Sequence, residues 1–330
     1  VPFELIKPNT RIDFVRQARY AVALSTAILV AAVAAMFLRT PAIQMGIDFT
    51  GGMEMQLKFA EASRVNEGSI REVLHGFDLE SSEVIRLGDS GDGSYLLRMQ
   101  RQEVGDQNQL VDQLRDALDE NLGSVEVERV GYVGPKVGAE LRRDGLLSIL
   151  VASALLLIYI GFRFTPIFAP GAIVAQVHDV LVTAGVLVIL GMEFDLTVLG
   201  ALLAILGYSI NDKIVVYDRI RENLDLHTAQ DFPNMVNDSL NQTLSRTVLT
   251  GGTAIFASFA LYIWGGPVIA TFGFAMGVGI IVGTYSSLYI TTPILLWLER
   301  RYGVGSSKKA PARKGPAGRR GEKESRAARA

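Results

Sequence analysis

The sequence predicts a polytopic α-helical membrane protein, with six transmembrane helices and one extramembrane α+β domain of ferredoxin-like fold after the first helix. Hydrophobic residues make up 49% of the 330-residue chain and gather in long uncharged runs. Such clustering points to lipid, not to a soluble core. Between Thr247 and Leu298 there is no charged residue at all. The polar segment 39–144, in contrast, alternates between strand and helix periods in the order β-α-β-β-α-β.

A spanning helix needs about 20 mostly apolar residues, because the bilayer gives the backbone no hydrogen-bond partner. Residues 20–38 form such a run between Arg19 and Arg39, and Gly145 to Phe162 form the second between Asp144 and Arg163. Phe164 to Met192 is interrupted only by His178 and Asp179, and Leu196 to Tyr217 only by Asp212 and Lys213. The uncharged stretch 247–298 is long enough for two helices, with Gly265-Gly266-Pro267 supplying the turn. The bundle is therefore expected over 145–298, with a loop at 218–245. No small-residue cleavage site follows the first run, so it reads as a retained helix and not a signal peptide.

Basic residues favour short cytoplasmic segments. Lys7, Arg11, Arg16 and Arg19 precede the first run, Arg163 lies between spans two and three, and Arg219, Arg221 and Arg246 lie between four and five. These places share one side. The expectation is a bacterial cytoplasmic (inner) membrane protein with both termini cytoplasmic, 1–19 being the N-terminal segment, and 39–144 facing the periplasm. The tail 299–330 is rich in Lys, Arg, Gly and Ala; it is expected to be disordered and to touch anionic lipid.

Within the extramembrane domain, Met53 to Phe59, Glu83 to Leu87, Tyr95 to Gln100 and Val125 to Val130 read as strands. Ser69 to Phe77 and Asn108 to Leu122 read as helices, and Gly88 to Gly93 as the turn between the middle strands. His75 is the domain's only histidine and the chain has no cysteine. Disulfides and thiolate metal sites are thus excluded, and neither a catalytic triad nor a phosphate-binding loop stands out.

Four short segments specify more than hydropathy does. Gly46-Ile-Asp-Phe-Thr-Gly-Gly52, with Asp48 and Gly51 inside it, follows the first run, and a segment opening Val133-Gly134-Pro135 precedes the second. Leu206-Gly207-Tyr-Ser-Ile-Asn211-Asp212 leads into Val215-Val-Tyr-Asp-Arg-Ile-Arg-Glu-Asn223, and Asn241-Gln242-Thr-Leu-Ser-Arg246-Thr247 opens span five. In this order, with six spans, the chain resembles the SecF-type members of the SecD/SecF protein-export family over roughly residues 8–302.

The resemblance implies a bundle similar to the resistance-nodulation-division transporters and a periplasmic domain that helps draw polypeptide outward using the proton-motive force. It implies SecD as partner, the SecYEG channel through SecD, translocating preproteins, and other accessory proteins of the translocase. Neither enzymatic activity, nucleic-acid contact, metal nor cofactor is expected beyond the proton as coupling ion. One departure stands out: Lys213 follows Asp212, where the family carries a small or hydroxyl residue.

Ionisable groups within a span are costly and face protein or water. With about 100° between successive residues, Ala201, Ile205 and Tyr208 share the face of Asp212, so Lys213 is expected to turn away and snorkel to the cytoplasm. Arg246, at the same end, is the expected counter-charge. The pair reads either as a proton relay or as a static bridge between spans four and five, and the resemblance favours the relay. Asp179, beside His178, reads either as a satisfied polar pair or as a supporting member of the relay. Gly200, Ala204, Gly207 and Gly273, Gly277 read as close helix packing, and Gly51-Gly52 as a hinge or a tight turn. An intramembrane aspartyl protease using Asp179 and Asp212, a passive scaffold and a lone small-molecule transporter are the competing classes.

Overall fold

A computed structural model describes residues 11–38, 43–60, 65–77, 79, 82–87, 92–99, 107–164, 168–226 and 231–302. Six helices in it are long and apolar enough to cross a membrane. The first is α1 (Phe14–Leu38). A single helical turn, α2 (Ile47–Thr50), then leads into β1 (Gly52–Phe59), α3 (Glu67–His75), β2 (Glu83–Leu87), β3 (Ser94–Met99), α4 (Gln107–Leu122) and β4 (Val125–Val133). The sheet runs β2-β3-β1-β4 with every neighbouring pair antiparallel. That is the strand order of a ferredoxin-like sandwich.

Alternation explains the domain's core. Met53, Met55, Leu57 and Phe59 of β1 lie on one buried face with Leu97 and Met99 of β3, and Ile70, Leu74, Leu114 and Leu118 of the two helices cover them. Asn66 caps α3: its Oδ1 accepts from the Ser69 N–H at 2.9 Å while Ser69 Oγ accepts from the Asn66 N–H at 3.1 Å. This reciprocal box starts α3 two residues before the expected Ser69. Of the Gly88 to Gly93 turn only Asp92 and Gly93 are among the described residues, and the tail beyond Tyr302 lies outside them.

The bundle continues with α5 (Pro135–Arg163), α6 (Ala169–Leu190), α7 (Leu196–Leu226), α8 (Phe232–Trp264), α9 (Gly266–Tyr289) and α10 (Thr291–Tyr302). α9 and α10 together make the sixth span. The span boundaries differ from the sequence expectation in an informative way. β4 passes into α5 with only Gly134 between them, Pro135 taking the first helical position, so the second helix begins ten residues before the apolar run. Pro is suited to that position because its missing N–H has no intrahelical partner there.

The expected loop at 218–245 is instead a helical hairpin. Ile220 and Asn223 of α7 face Met235, Val236, Ser239 and Leu240 of α8, all buried. Asn223 Nδ2 donates to Ser239 Oγ at 2.7 Å and to Gln242 Oε1 at 2.9 Å. Charges on the outer faces made the segment look like a loop, but its inner face is apolar. Residues 299–302, expected in the tail, likewise belong to α10.

Gly51 and Gly52 form a packed turn. Their φ values of 78° and 151° lie where L side chains are strained, and a Cβ on Gly51 would stand 2.8 Å from Pro135 Cα. A Cβ on Gly138 of α5 would meet Gly51 N at 2.9 Å. The two glycine segments therefore fit together, holding the start of the sheet against the start of span two.

Candidate functional site

Two groups of polar residues in the spans are built on faces of α7 about 100° apart. In the first, Asp179 of α6 is buried, 1% exposed, and its Oδ2 accepts from Lys213 Nζ at 2.7 Å and from Ser209 Oγ at 2.5 Å. Lys213 also donates to Ser209 Oγ. Asp179 Oδ1 lies 3.0 Å from His178 Nδ1, and the His178 ring stacks on Tyr285 of α9 at 6.3 Å. Lys213 itself is 0% exposed. The expectation that it snorkels outward is thus corrected: Ser209 and Lys213 are four residues apart on the seam of α7 facing α6, where Asp179 offers the charge that an outward lysine would lack.

The second group is built on Asp212, which is half-buried. Its Oδ1 accepts from Thr247 Oγ1 of α8 at 2.7 Å, and its buried Oδ2 has no partner among the described residues. Arg246 is exposed, and the hydroxyl of Thr247 takes the place expected for its guanidinium. The Asp212–Arg246 bridge is corrected accordingly: Arg246 acts on Asp212 only through space. Its neighbour Thr247 faces inward because it stands one position further round the helix. Asp179 and Asp212 have entirely different partners, so the shared-proton dyad of an aspartyl protease is not formed.

Beside Asp212, the row Gly200, Ala204, Gly207, Asn211 runs along an exposed face of α7. Close packing inside this chain was expected there, yet no atom lies within 4 Å of a Cβ built on Gly200 or Gly207. Gly273 does pack closely: its Cβ would stand 2.7 Å from Ser258 O and Tyr262 N of α8. The two rows differ because α8 covers α9, whereas no described residue covers the Gly200 face.

The remaining motif residues are structural joints. Asn241 Oδ1 accepts from the Ile12 N–H at 2.8 Å and its Nδ2 donates to Ile12 O at 2.9 Å, while Asn237 Oδ1 accepts from the Phe14 N–H at 2.8 Å. They clamp the entry to α1. Gln242 Oε1 also accepts from Arg219 Nε at 2.6 Å. Asp48 Oδ2 accepts from the Leu196 N–H at 3.0 Å, so the first motif caps the N-terminus of α7. Gly46 N–H donates to Phe194 O at 2.8 Å in the same place, and a Cβ on Gly46 would stand 3.1 Å from Asp195 Cβ.

Around that contact, Arg98 of β3 pairs with Glu54 of β1 at 2.9 Å and with Glu193 of the α6–α7 connection. Sequence reasoning did not find this joint, since its charges are scattered over four segments. Burial, then a hydrogen bond shared with Glu83, push the Glu193 carboxyl up to about 7 despite Arg98. A carboxyl raised by folding holds its proton more tightly folded than unfolded, so its contribution is full below the ordinary glutamate range and is lost as pH rises through about 7. Hydrogen-exchange protection at the α6–α7 connection is expected to fall as pH rises from about 4.5 and to level off above about 7. Glu193→Gln should flatten that profile; an unchanged profile contradicts the assignment.

A bundle of six candidate spans carrying a buried ion pair, a half-buried acid and an α+β domain defines a multi-pass integral membrane protein. Residues 113–301 match the family model described as protein export membrane protein SecD/SecF, C-terminal, and residues 40–62 match the SecD/SecF GG motif. The curated protein translocase subunit SecF of Desulfurispirillum indicum is 41% identical over 297 residues, 88% of this chain and 93% of that one. That of Pseudomonas aeruginosa is 39% identical over 288 residues, covering 87% and 92%. The crystal structure of SecDF, a translocon-associated membrane protein from Thermus thermophilus, superposes with a TM-score of 0.78 at 35% identity. It covers 90% of this chain, which spans 40% of that longer one.

The chain belongs to the SecD/SecF family, among the SecF subunits of the protein translocase. It is accordingly a non-catalytic, multi-pass inner-membrane component of the Sec pathway.

Proposed function

We propose that the chain works with a SecD partner to couple the proton-motive force to protein export, with Asp212 as the proton-carrying group. The observation that carries this reading is the placement of Asp212. It is an acid whose second oxygen has no partner among the described residues, on the edge of an α7 face whose small residues no described residue covers. A small-residue row allows a neighbouring helix to approach closely, and a partner seated on it closes the site from the other side. The SecDF chain of Thermus thermophilus, more than twice the length of the region matched, supports SecD as that partner.

SecYEG is reached through SecD, and translocating preproteins are met by the α+β domain on the periplasmic side. Asp179 is held by its ion pair and supports the bundle without carrying the proton. One proton crossing 100 mV releases about 2.3 kcal/mol, sufficient to bias a domain motion and requiring repeated cycles for export. Detergent extraction of the tagged chain should bring down a SecD-like protein, and an uncoupler should remove its stimulation of export in vesicles. A chain that purifies alone, or export indifferent to the uncoupler, favours the passive scaffold.

Both termini are cytoplasmic in this reading. Cysteine placed at exposed Ser124, beside β4, should react with a membrane-impermeant maleimide in cells whose inner membrane is intact, and cysteine at Arg301 should not. The opposite pattern inverts the topology.

A further inference from the structure

Asp179 and Ser209 each turn an oxygen toward a buried cation, the Lys213 ammonium. The Lys213 ammonium lies 2.7 Å from Asp179 Oδ2 and also bonds Ser209 Oγ, with the side chain wholly buried. An ammonium is a compact point charge that donates in three directions and accepts nothing. A carboxylate and a hydroxyl oxygen are, equally, the donors that bind small hard cations. A negative Asp179 within a lipid-surrounded bundle requires a compensating charge, and the chain supplies it from the next helix.

We propose that Lys213 is a tethered counter-cation occupying a monovalent-cation site built by Asp179 and Ser209. His178, which holds Asp179 Oδ1 at 3.0 Å, orients the carboxylate. Asp212 stands apart from this site, because its bonded oxygen faces Thr247 of α8. The cation site does not rest on the proton reading above.

The test uses the complex purified with its partner and reads binding of radioactive sodium together with thermal unfolding in sodium chloride and in choline chloride at equal ionic strength. The unsubstituted complex is expected to bind no sodium saturably and to unfold at the same temperature in both salts. Lys213→Ala is expected to bind sodium saturably, with a lower unfolding temperature in choline that sodium restores. Lys213→Ala/Asp179→Asn should lose both properties.

Sodium binding by the unsubstituted complex, or its absence in Lys213→Ala, overturns the proposal. So does binding retained in the double variant. Where Lys213→Ala fails to assemble in either salt but the double variant assembles, sodium has failed to replace the ammonium and the proposal is equally overturned. Failure of the proton reading is distinguishable, since it shows as export indifferent to an imposed proton gradient while the sodium results stand.

Discussion

Asp212→Asn is expected to abolish gradient-stimulated export while the amount of complex stays the same. The amide keeps the size of the carboxyl, and its oxygen still accepts from Thr247 Oγ1, so the contact between α7 and α8 survives. What is lost is the group that binds and releases a proton. Export driven by an imposed gradient in inverted membrane vesicles should fall to the level seen with an uncoupler. Arg246→Ala should lower it only partly, because the guanidinium is exposed and the Thr247 hydroxyl, not an ion pair, holds the acid. Normal gradient-driven export in Asp212→Asn would falsify its role as carrier and move attention to the partner chain.

Asp179→Leu is expected to cost most of the assembled protein. Substitution strands the Lys213 ammonium, which is 0% exposed and, among the described residues, has Ser209 left to bond. Breaking a buried ion pair from one side costs about 3–5 kcal/mol, against a net stability of roughly 5–15 kcal/mol for a typical domain. Asp179→Leu/Lys213→Met removes both charges and should recover most of the folded protein, since a packed apolar pair replaces the ionic one. Fluorescence-detected size exclusion of a tagged chain measures this. Equal yields from the single and double variants would show that the ammonium finds another partner.

Hydrophobic runs fixed the number of spans, and period changes fixed the β-α-β-β-α-β order, because both depend on local patterns that lipid or a sheet face imposes. Glu83 to Leu87 shows how far this reaches: the alternating run and the strand coincide. The hairpin around Ile220 and Val236 was not legible, since its buried face is narrow and its outer face carries the charges of a loop. At the site, the polar residues themselves were found, but their pairing was not. A helical wheel places Lys213 about 100° from Asp212 without saying which neighbour fills that direction, and only the position of α6 decides it. Thr247 was read only as the end of the span-five motif, because one hydroxyl among Thr243, Ser245, Thr250 and Thr253 on the same helix gives no signal of its own.

The junction at Gly134 has a mechanical consequence. Strand β4 enters α5 with one residue between them, and at the same end of the sheet, two strands across, Arg98 of β3 is held through Glu193 to the α6–α7 connection. A body mounted at two separated points cannot swivel about either one. Torque on the sandwich is therefore carried into spans two, three and four together, and a rocking of those helices turns the sandwich by the same angle, as a handle turns with its shaft.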